Sequence, residues 1–318
     1  MFQYKTYPEE ELRAIIKHLF RNKDLSNNSV TQYAIKIQQW VSYIKDNKTI
    51  QYLIENPSES IQCLEETPKI KHSAANHHIY ISSVIAFIKY ILKDETLLSN
   101  WKEYERKNWE PIAKRYDENK PSDIQSNKLM TLTEIETIRQ TLEKGSVERL
   151  LLSFYTLIEP IRADYYATEI IQITAAETTA KTTAETAENY IILPTVTTRA
   201  VTGAKLVVRN FKTSKKYEKI ENTLSIVLED ELRASLEMYP RKYVFVMEDK
   251  KSPFTRKLFS NWACRTLTRV LKQQMPLTAL RHIYITNKIQ SNKTTTELVE
   301  IAKKMGHSRD IQRVYEWR

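Results

Sequence analysis

The chain has 318 residues, 41% apolar and 28% charged, which suits one large domain or two domains with real cores. Its formal charge of +10 and pI near 9.3 favour a polyanionic partner, nucleic acid first. The two cysteines, Cys63 and Cys264, lie far apart; they exclude a disulfide framework and a zinc motif, while no run reaches the ~18 apolar residues of a membrane span.

The N-terminal stretch MFQYKTYPEEELRAIIKHLF carries acids ahead of its apolar run and does not read as a signal peptide, so the protein is expected to be intracellular, not secreted, with no membrane partner. Three glycines in the whole chain favour helices over a glycine-dependent sandwich or barrel. Residues 7 to 115 read as a helical bundle. SVTQYAIKIQQWVSYIKD has a cap candidate in Ser29 and an apolar face of Tyr33, Ile35, Ile37, Trp40, Val41 and Ile44. SAANHHIYISSVIAFIKYILKD repeats the pattern with Ile79, Val84, Ile85, Phe87, Ile88 and Ile91. A polar stretch from about 115 to 130 then breaks the periodicity and has linker composition. It divides the chain into 1–114 and 131–318.

The second part opens on TLTEIETIRQTLEK, with Thr133 and Glu136 as a capping-box pattern. SVERLLLSFYTLI reads as a buried helix. Residues 174–189 are a Thr/Ala/Glu insert without a large apolar side chain, expected to be a solvated spacer. NYIILPTV and AKLVVRNF read as strands. The second leads through a lysine-rich turn into YEKIENTLSIVL, a third. Then come a helix in EDELRASLEMY, a short strand in YVFVM, and a helix opened by Ser252 and Pro253. Another helix begins at Pro276, and a last one ends in lysines and Gly306. The expected fold is mainly α with a small antiparallel β-sheet, arranged as a helical domain followed by a mixed α/β domain.

Several polar residues are set in apolar surroundings. Arg162 follows the buried helix, with Asp164 as a ready ion-pair partner; Lys212 ends a strand at a hairpin tip; Arg281 and His282 interrupt LTALRHIYI; His307 follows Gly306; Tyr315 is one of 18 tyrosines. Alone, each has an ordinary explanation: a structural ion pair, a solvated lysine, a cap neighbour, a core aromatic. Their order is more specific. TLIEPIRADYY, NFKTSKKY, LTALRHIYI and MGHSRDIQRVY together resemble the tyrosine recombinase (phage integrase) family over about residues 130–318. The wording is similar to recombinases of large eukaryotic DNA viruses and their satellite viruses (virophages). The N-terminal bundle fits that family's core-binding domain in position and helicity.

The resemblance implies Arg162, Lys212, Arg281, His307 and Tyr315 as the catalytic set. His282, Thr278, Lys215 and Lys216 are possible phosphate contacts. Thr278 stands where the family usually has a histidine, three residues before the second arginine, and a hydroxyl there offers only a neutral hydrogen bond. Two guanidiniums suit the charge that grows on an attacked phosphodiester. A phenol of ordinary pKa about 10 needs a cationic pocket to react. A lysine on a mobile turn can protonate the 5′ leaving oxygen. The implied product is a 3′-phosphotyrosyl DNA that conserves bond energy. No cofactor and no metal is expected, and the sequence has neither a glycine-rich phosphate loop nor an acidic metal cluster. The implied partners are double-stranded DNA, gripped between the two domains, and further copies of the chain assembled on it as a tetramer. The expected place of action is viral or host DNA, in a cytoplasmic viral factory or the nucleus. Two other functions fit the same sequence: a type IB DNA topoisomerase with the same nucleophile, and a DNA-binding module that has lost catalysis. Glu316, Trp317 and Arg318 alone follow Tyr315, too few for a docking helix, so a monomer in free solution is expected, with Trp317 as a small anchor at most.

Overall fold

The computed structural model describes residues 9–21, 23–44, 49–68, 70, 74–118, 120, 130–173, 188–195, 203–249, 251–290, 293–313 and 315–316. The expectations for most of the 115–130 linker, for the insert from 174 to 187 and for Trp317 lie outside the described residues. The chain divides into two compact units, Met1–Asp117 and Glu118–Arg318.

The first unit is helical: α1 (Glu9–Leu19), α2 (Asn27–Tyr43), α3 (Ile50–Glu55), α4 (Pro57–Glu66), α5 (Ala74–Phe87) and α6 (Glu95–Asp117). A π-helical turn over Ile88–Leu92 follows α5 and ends at left-handed Lys93. The core gathers around Trp40 and Trp101, both fully buried and packed edge to face at 5.5 Å. Each indole N–H is satisfied at 2.9 Å by a backbone carbonyl, of Ser60 and Ile54 respectively, so the rings are buried without stranding a donor. Helix α2 starts earlier than the Ser29 reading has it. Ser26 is the cap and accepts from the Ser29 N–H, so the helix gains Asn27, Asn28 and Ser29 ahead of Val30 and Tyr33, which pack against the core. Ile79, expected on the apolar face of α5, is exposed; its neighbours Tyr80 and Ile81 are buried instead.

The second unit is built around α8 (Val147–Thr156), whose residues Leu150 to Thr156 are all buried. Helices α7 (Leu132–Thr141), α10 (Ile226–Met238), α11 (Arg256–Leu271) and α12 (Leu277–Gln290) pack on it. The nearly continuous apolar run seen in the sequence is what a helix covered on every side requires. The capping box of α7 is Thr131 with Glu134, not Thr133 with Glu136. The earlier start places both Leu132 and Ile135 in the core. Helix α11 is capped by Thr255, while Pro253, read as its opening, sits in an isolated bridge to Val246. YVFVM makes only isolated bridges, and the apolar SIVL stretch opens α10 behind Ser225 rather than extending a strand.

One four-stranded sheet lies in this unit, in the order β1 (Glu169–Ile173), β2 (Asn189–Pro194), β3 (Lys205–Val208), β4 (Ile220–Thr223). It is mixed rather than antiparallel: β1 runs parallel to β2, and the other pairings are antiparallel. Asn189, shared in the sequence reading between the end of the insert and the start of the strand NYIILPTV, is a buried residue of β2. The turn between β3 and β4 contains a four-residue helix, α9 (Ser214–Tyr217). Two short helices finish the unit, α13 (Thr295–Lys304), which packs on β4, and α14 (Arg309–Arg313).

Inside this unit the buried carboxylate of Glu231 accepts from Arg139 at 3.2 Å and from Arg149 at 2.7 Å. Arg149 also donates to the carbonyls of Gln140 and Leu142 at the end of α7. Removing the carboxylate leaves two guanidiniums without a counter-charge. Glu231→Ala is therefore expected to lower stability by about 3 kcal/mol or more, measured by denaturant unfolding; an unchanged midpoint would refute the assignment.

Candidate active site

Four parts of the second unit, the segment after α8, helix α12, the end of α13 and the residues after α14, bring Arg162, Arg281, His307 and Tyr315 together. Arg281 is the innermost. It lies one turn into α12 and is 1% exposed. Its Nη1 donates to the Pro160 carbonyl at 2.6 Å, and its Nη2 to His307 Nδ1 at 3.0 Å and, more weakly, to the Met305 carbonyl at 3.5 Å. Its Nε has no hydrogen-bond partner among the described residues. Burial pulls its pKa down, opposed by the field of the Tyr315 phenol. A buried cation held by carbonyls and an imidazole, with no carboxylate hydrogen-bonded to it, is poised for an anion.

Arg162 lies on the irregular segment after α8. Tyr155 donates to the Arg162 carbonyl at 2.8 Å, and the buried Tyr165 hydroxyl accepts from Ile161 N–H and donates to the Phe154 carbonyl. Two core phenols thus fix the backbone that carries the arginine. Asp164 does not partner Arg162 by direct contact, as the sequence suggested. It is 3.0 Å from Arg256 at the start of α11. Burial raises the Asp164 pKa, against the pull of Arg256, Arg281 and Arg162.

His307 is placed by the end of α13. Gly306 N–H donates to Lys303, and His307 N–H to Ala302, the paired bonds of a Schellman motif. Gly306 has φ +72°, and a Cβ there would lie 2.9 Å from Ile220 Cδ1 and 3.2 Å from Phe211 Cε2. Both the conformation and the close approach of the β3–β4 turn require glycine. Because a guanidinium only donates, His307 Nδ1 is the acceptor and its proton sits on Nε2. That Nε2 is buried without a partner among the described residues. Burial, then Arg281 and Arg162, hold its pKa down at about 3, so it is a neutral donor at neutral pH.

Tyr315 follows α14. Its hydroxyl accepts from Arg162 Nη2 at 3.4 Å, a long bond. Its ring stacks on His307 at 5.4 Å, and Arg281 Cζ lies 5.2 Å from its centroid. Burial alone would raise the phenol's pKa, but the two arginines outweigh it and the net shift is downward. His282, next to Arg281, turns Nδ1 to the Tyr315 carbonyl at 3.0 Å and packs its ring 4.6 Å from the tyrosine. A carbonyl only accepts, so Nδ1 carries the proton; burial foremost holds the His282 pKa at about 4.

Lys212 is not in this cluster. It is exposed in the turn after β3, ahead of α9. That turn is tied to the cluster, since Thr213 Oγ1 donates to the Gly306 carbonyl at 2.7 Å. Lys215 and Lys216 are exposed on α9, and Lys216 lies over the Tyr217 ring. Thr278 is exposed in the first turn of α12, three residues before Arg281. Sequence reasoning missed Tyr155, Arg256, Arg309 and Glu316. None carries a local motif, and each acts through a fold contact. Glu316 is buried and ion-paired with Arg309.

No family model matches the chain, and no curated protein matches it. Among solved structures it is similar to the crystal structure of XerA recombinase, at 13% identity and a TM-score of 0.39, over 97% of this chain and 93% of that one. Likeness at that level defines no activity.

The histidine shifts fix a pH dependence of stability. In the unfolded chain both titrate near 6.5; folded, His282 and His307 titrate at about 4 and about 3. The unfolded state binds more protons between those values, so stability falls as pH drops from about 7 toward 4, by roughly 2 kcal/mol per histidine at pH 5. Urea unfolding of the wild type and of His282→Gln/His307→Gln should show the gap between them narrowing from pH 7 to pH 5. A gap that does not change would contradict the neutral assignment.

Proposed function

We propose that the protein is a site-specific DNA recombinase or integrase that cuts and rejoins DNA through Tyr315. One observation carries the reading: the Tyr315 hydroxyl lies against Arg162 while its ring sits over the buried Arg281, beside the unpartnered N–H of a neutral His307. This is a nucleophile next to donors that suit one phosphate. Arg162 and Arg281 neutralise the charge that grows on the non-bridging oxygens, and His307 Nε2–H adds a third donor. The Tyr315 oxygen attacks phosphorus, the bond to the deoxyribose 5′ oxygen breaks, and a 3′-phosphotyrosyl link forms. The phenol's proton is lost more easily in the field of the two cations, in line with its lowered pKa. Lys212 protonates the leaving 5′ oxygen by a swing of its turn, which Thr213 keeps beside Gly306. Reversal by the 5′ hydroxyl of another strand gives strand exchange. The partner is double-stranded DNA, held by the helical first unit as core-binding domain and by exposed cations, among them Lys215, Lys216 and Lys303, whose phosphate contacts give affinity rather than sequence choice. We place this work inside the cell, at viral or host DNA, with monomers assembling as a tetramer only on their site.

A suicide DNA substrate with the wild-type chain should yield a covalent adduct whose mass maps to Tyr315. Tyr315→Phe should abolish the adduct and keep DNA affinity; an adduct that survives this change would remove Tyr315 as nucleophile. Supercoil relaxation by a monomer without strand exchange would favour the topoisomerase reading, and DNA binding with no adduct at all would favour the non-catalytic module.

Arg281→Lys should slow adduct formation by roughly a hundredfold or more, because an ammonium cannot reproduce a forked contact. Measurement under single-turnover conditions tests this, and a near-wild-type rate would exclude Arg281 from the phosphate site.

A further inference from the structure

Helix α14 has five residues, far fewer than the ~12–15 at which an isolated helix becomes marginally stable. Something outside the helix must hold the segment that presents Tyr315. Its backbone supplies part of the answer. Gln312 N–H bonds to Ser308, Tyr315 N–H to Gln312 at 2.8 Å and Glu316 N–H to Arg313 at 3.1 Å, all local bonds that move with the segment. The Tyr315 ring is held by His307, Arg281 and the apolar cluster of Ile285, Leu298, Ile301 and Met305; two further contacts bear on the backbone around it. One is the bond from His282 to the Tyr315 carbonyl, which anchors the segment to α12. The other is the ion pair of Arg309 with Glu316, seven residues apart. Arg309 is the first residue of α14 and Glu316 directly follows the tyrosine, so the pair closes the chain into a loop around Tyr315.

The placement of the two charges is costly without such a purpose. The Glu316 side chain is 8% exposed and the Arg309 side chain 20%. A carboxylate that deep needs a counter-charge, and a cation at a helix N-terminus opposes the dipole. Each cost is offset by the other member of the pair. Ile311 on the same helix is 47% exposed, so the face of α14 that carries it contributes little packing to hold the segment.

We propose that Arg309 and Glu316 form a clasp that sets Tyr315 in register for attack on phosphorus. They are positioning residues and touch neither the tyrosine's hydroxyl nor DNA. The inference rests on Tyr315 being the nucleophile and deepens that reading.

The test uses the full chain, with a suicide duplex substrate at saturating protein, and four variants: Arg309→Met, Glu316→Gln, Glu316→Asp and the exchanged pair Arg309→Glu/Glu316→Arg. Adduct formation should slow roughly ten- to a hundredfold in the first two, measured at a temperature where each variant is fully folded and with DNA affinity unchanged. Glu316→Asp keeps the charge and should fall between them and the wild type, and the exchanged pair should react faster than either neutral variant. Neutral variants at the wild-type rate overturn the clasp. So does an exchanged pair no faster than the neutral variants, or a rate lost only in step with affinity or folding. A wild type that forms no adduct while these variants bind DNA sinks the recombinase reading, and the clasp with it.

Discussion

The second unit depends on one buried guanidinium. Arg281 reaches the Pro160 carbonyl on the segment carrying Arg162, the Met305 carbonyl at the end of α13, and the ring nitrogen of His307, while lying over the ring of Tyr315. The segment around Pro160 and the C-terminal stretch from Met305 to Tyr315, far apart in sequence, are thereby referred to one rigid fork. Arginine is suited to this because its planar group holds several acceptors at fixed angles and stays charged in a place where a lysine would lose its proton. Its remaining Nε–H, and a charge that meets no carboxylate by hydrogen bond among the described residues, make the same group both the organiser of the cluster and a feature that draws in an anion.

The protonation states follow from burial first and from that cation second. Both histidines are buried near it, and both are driven neutral. Each then has one donor and one acceptor, and the fold uses them differently. His307 gives its acceptor to Arg281 and keeps a donor over, whereas His282 gives its donor to the main chain of Tyr315. The phenol responds in the opposite sense: burial favours its neutral form, but two guanidiniums favour the anion and prevail. Burial together with two neighbouring guanidiniums therefore sets three side chains in complementary states.

Much of this was legible in the sequence. Buried helix α8 shows as an unbroken apolar run, and the helix ending at Gly306 shows its lysines and its glycine. Arg162, Arg281, His307 and Tyr315 could be picked out by their order along the chain and the resemblance it carries, not by any one of them alone. What sequence could not show is who pairs with whom. Asp164 sits two residues from Arg162 yet lies against Arg256, because the irregular segment after α8 turns its side chain toward α11. Lys212 and Thr278 fit the pattern of spacing but are exposed, since spacing along the chain says nothing of which way a turn or a helix faces. Cap positions slipped by two or three residues at Ser26, Thr131 and Thr255, where more than one hydroxyl residue within a few positions can fill the same role. The parallel partner β1 was missed altogether. Its five residues, one of them a glutamine, carry too short a pattern to separate from a loop.

Gly306 has a consequence at the level of inheritance. A chain with only three glycines retains one where the backbone is left-handed and a neighbouring methyl leaves no room for a Cβ. Every glycine codon begins with two guanines, and any change at either of them that still encodes a residue installs a side chain. The replacement would push on Ile220 and Phe211 in the β3–β4 turn and on His307 beside it, so a single nucleotide change would strain the lysine-bearing turn and the imidazole together. This codon is a narrow point in the gene, where only the third base is free to drift.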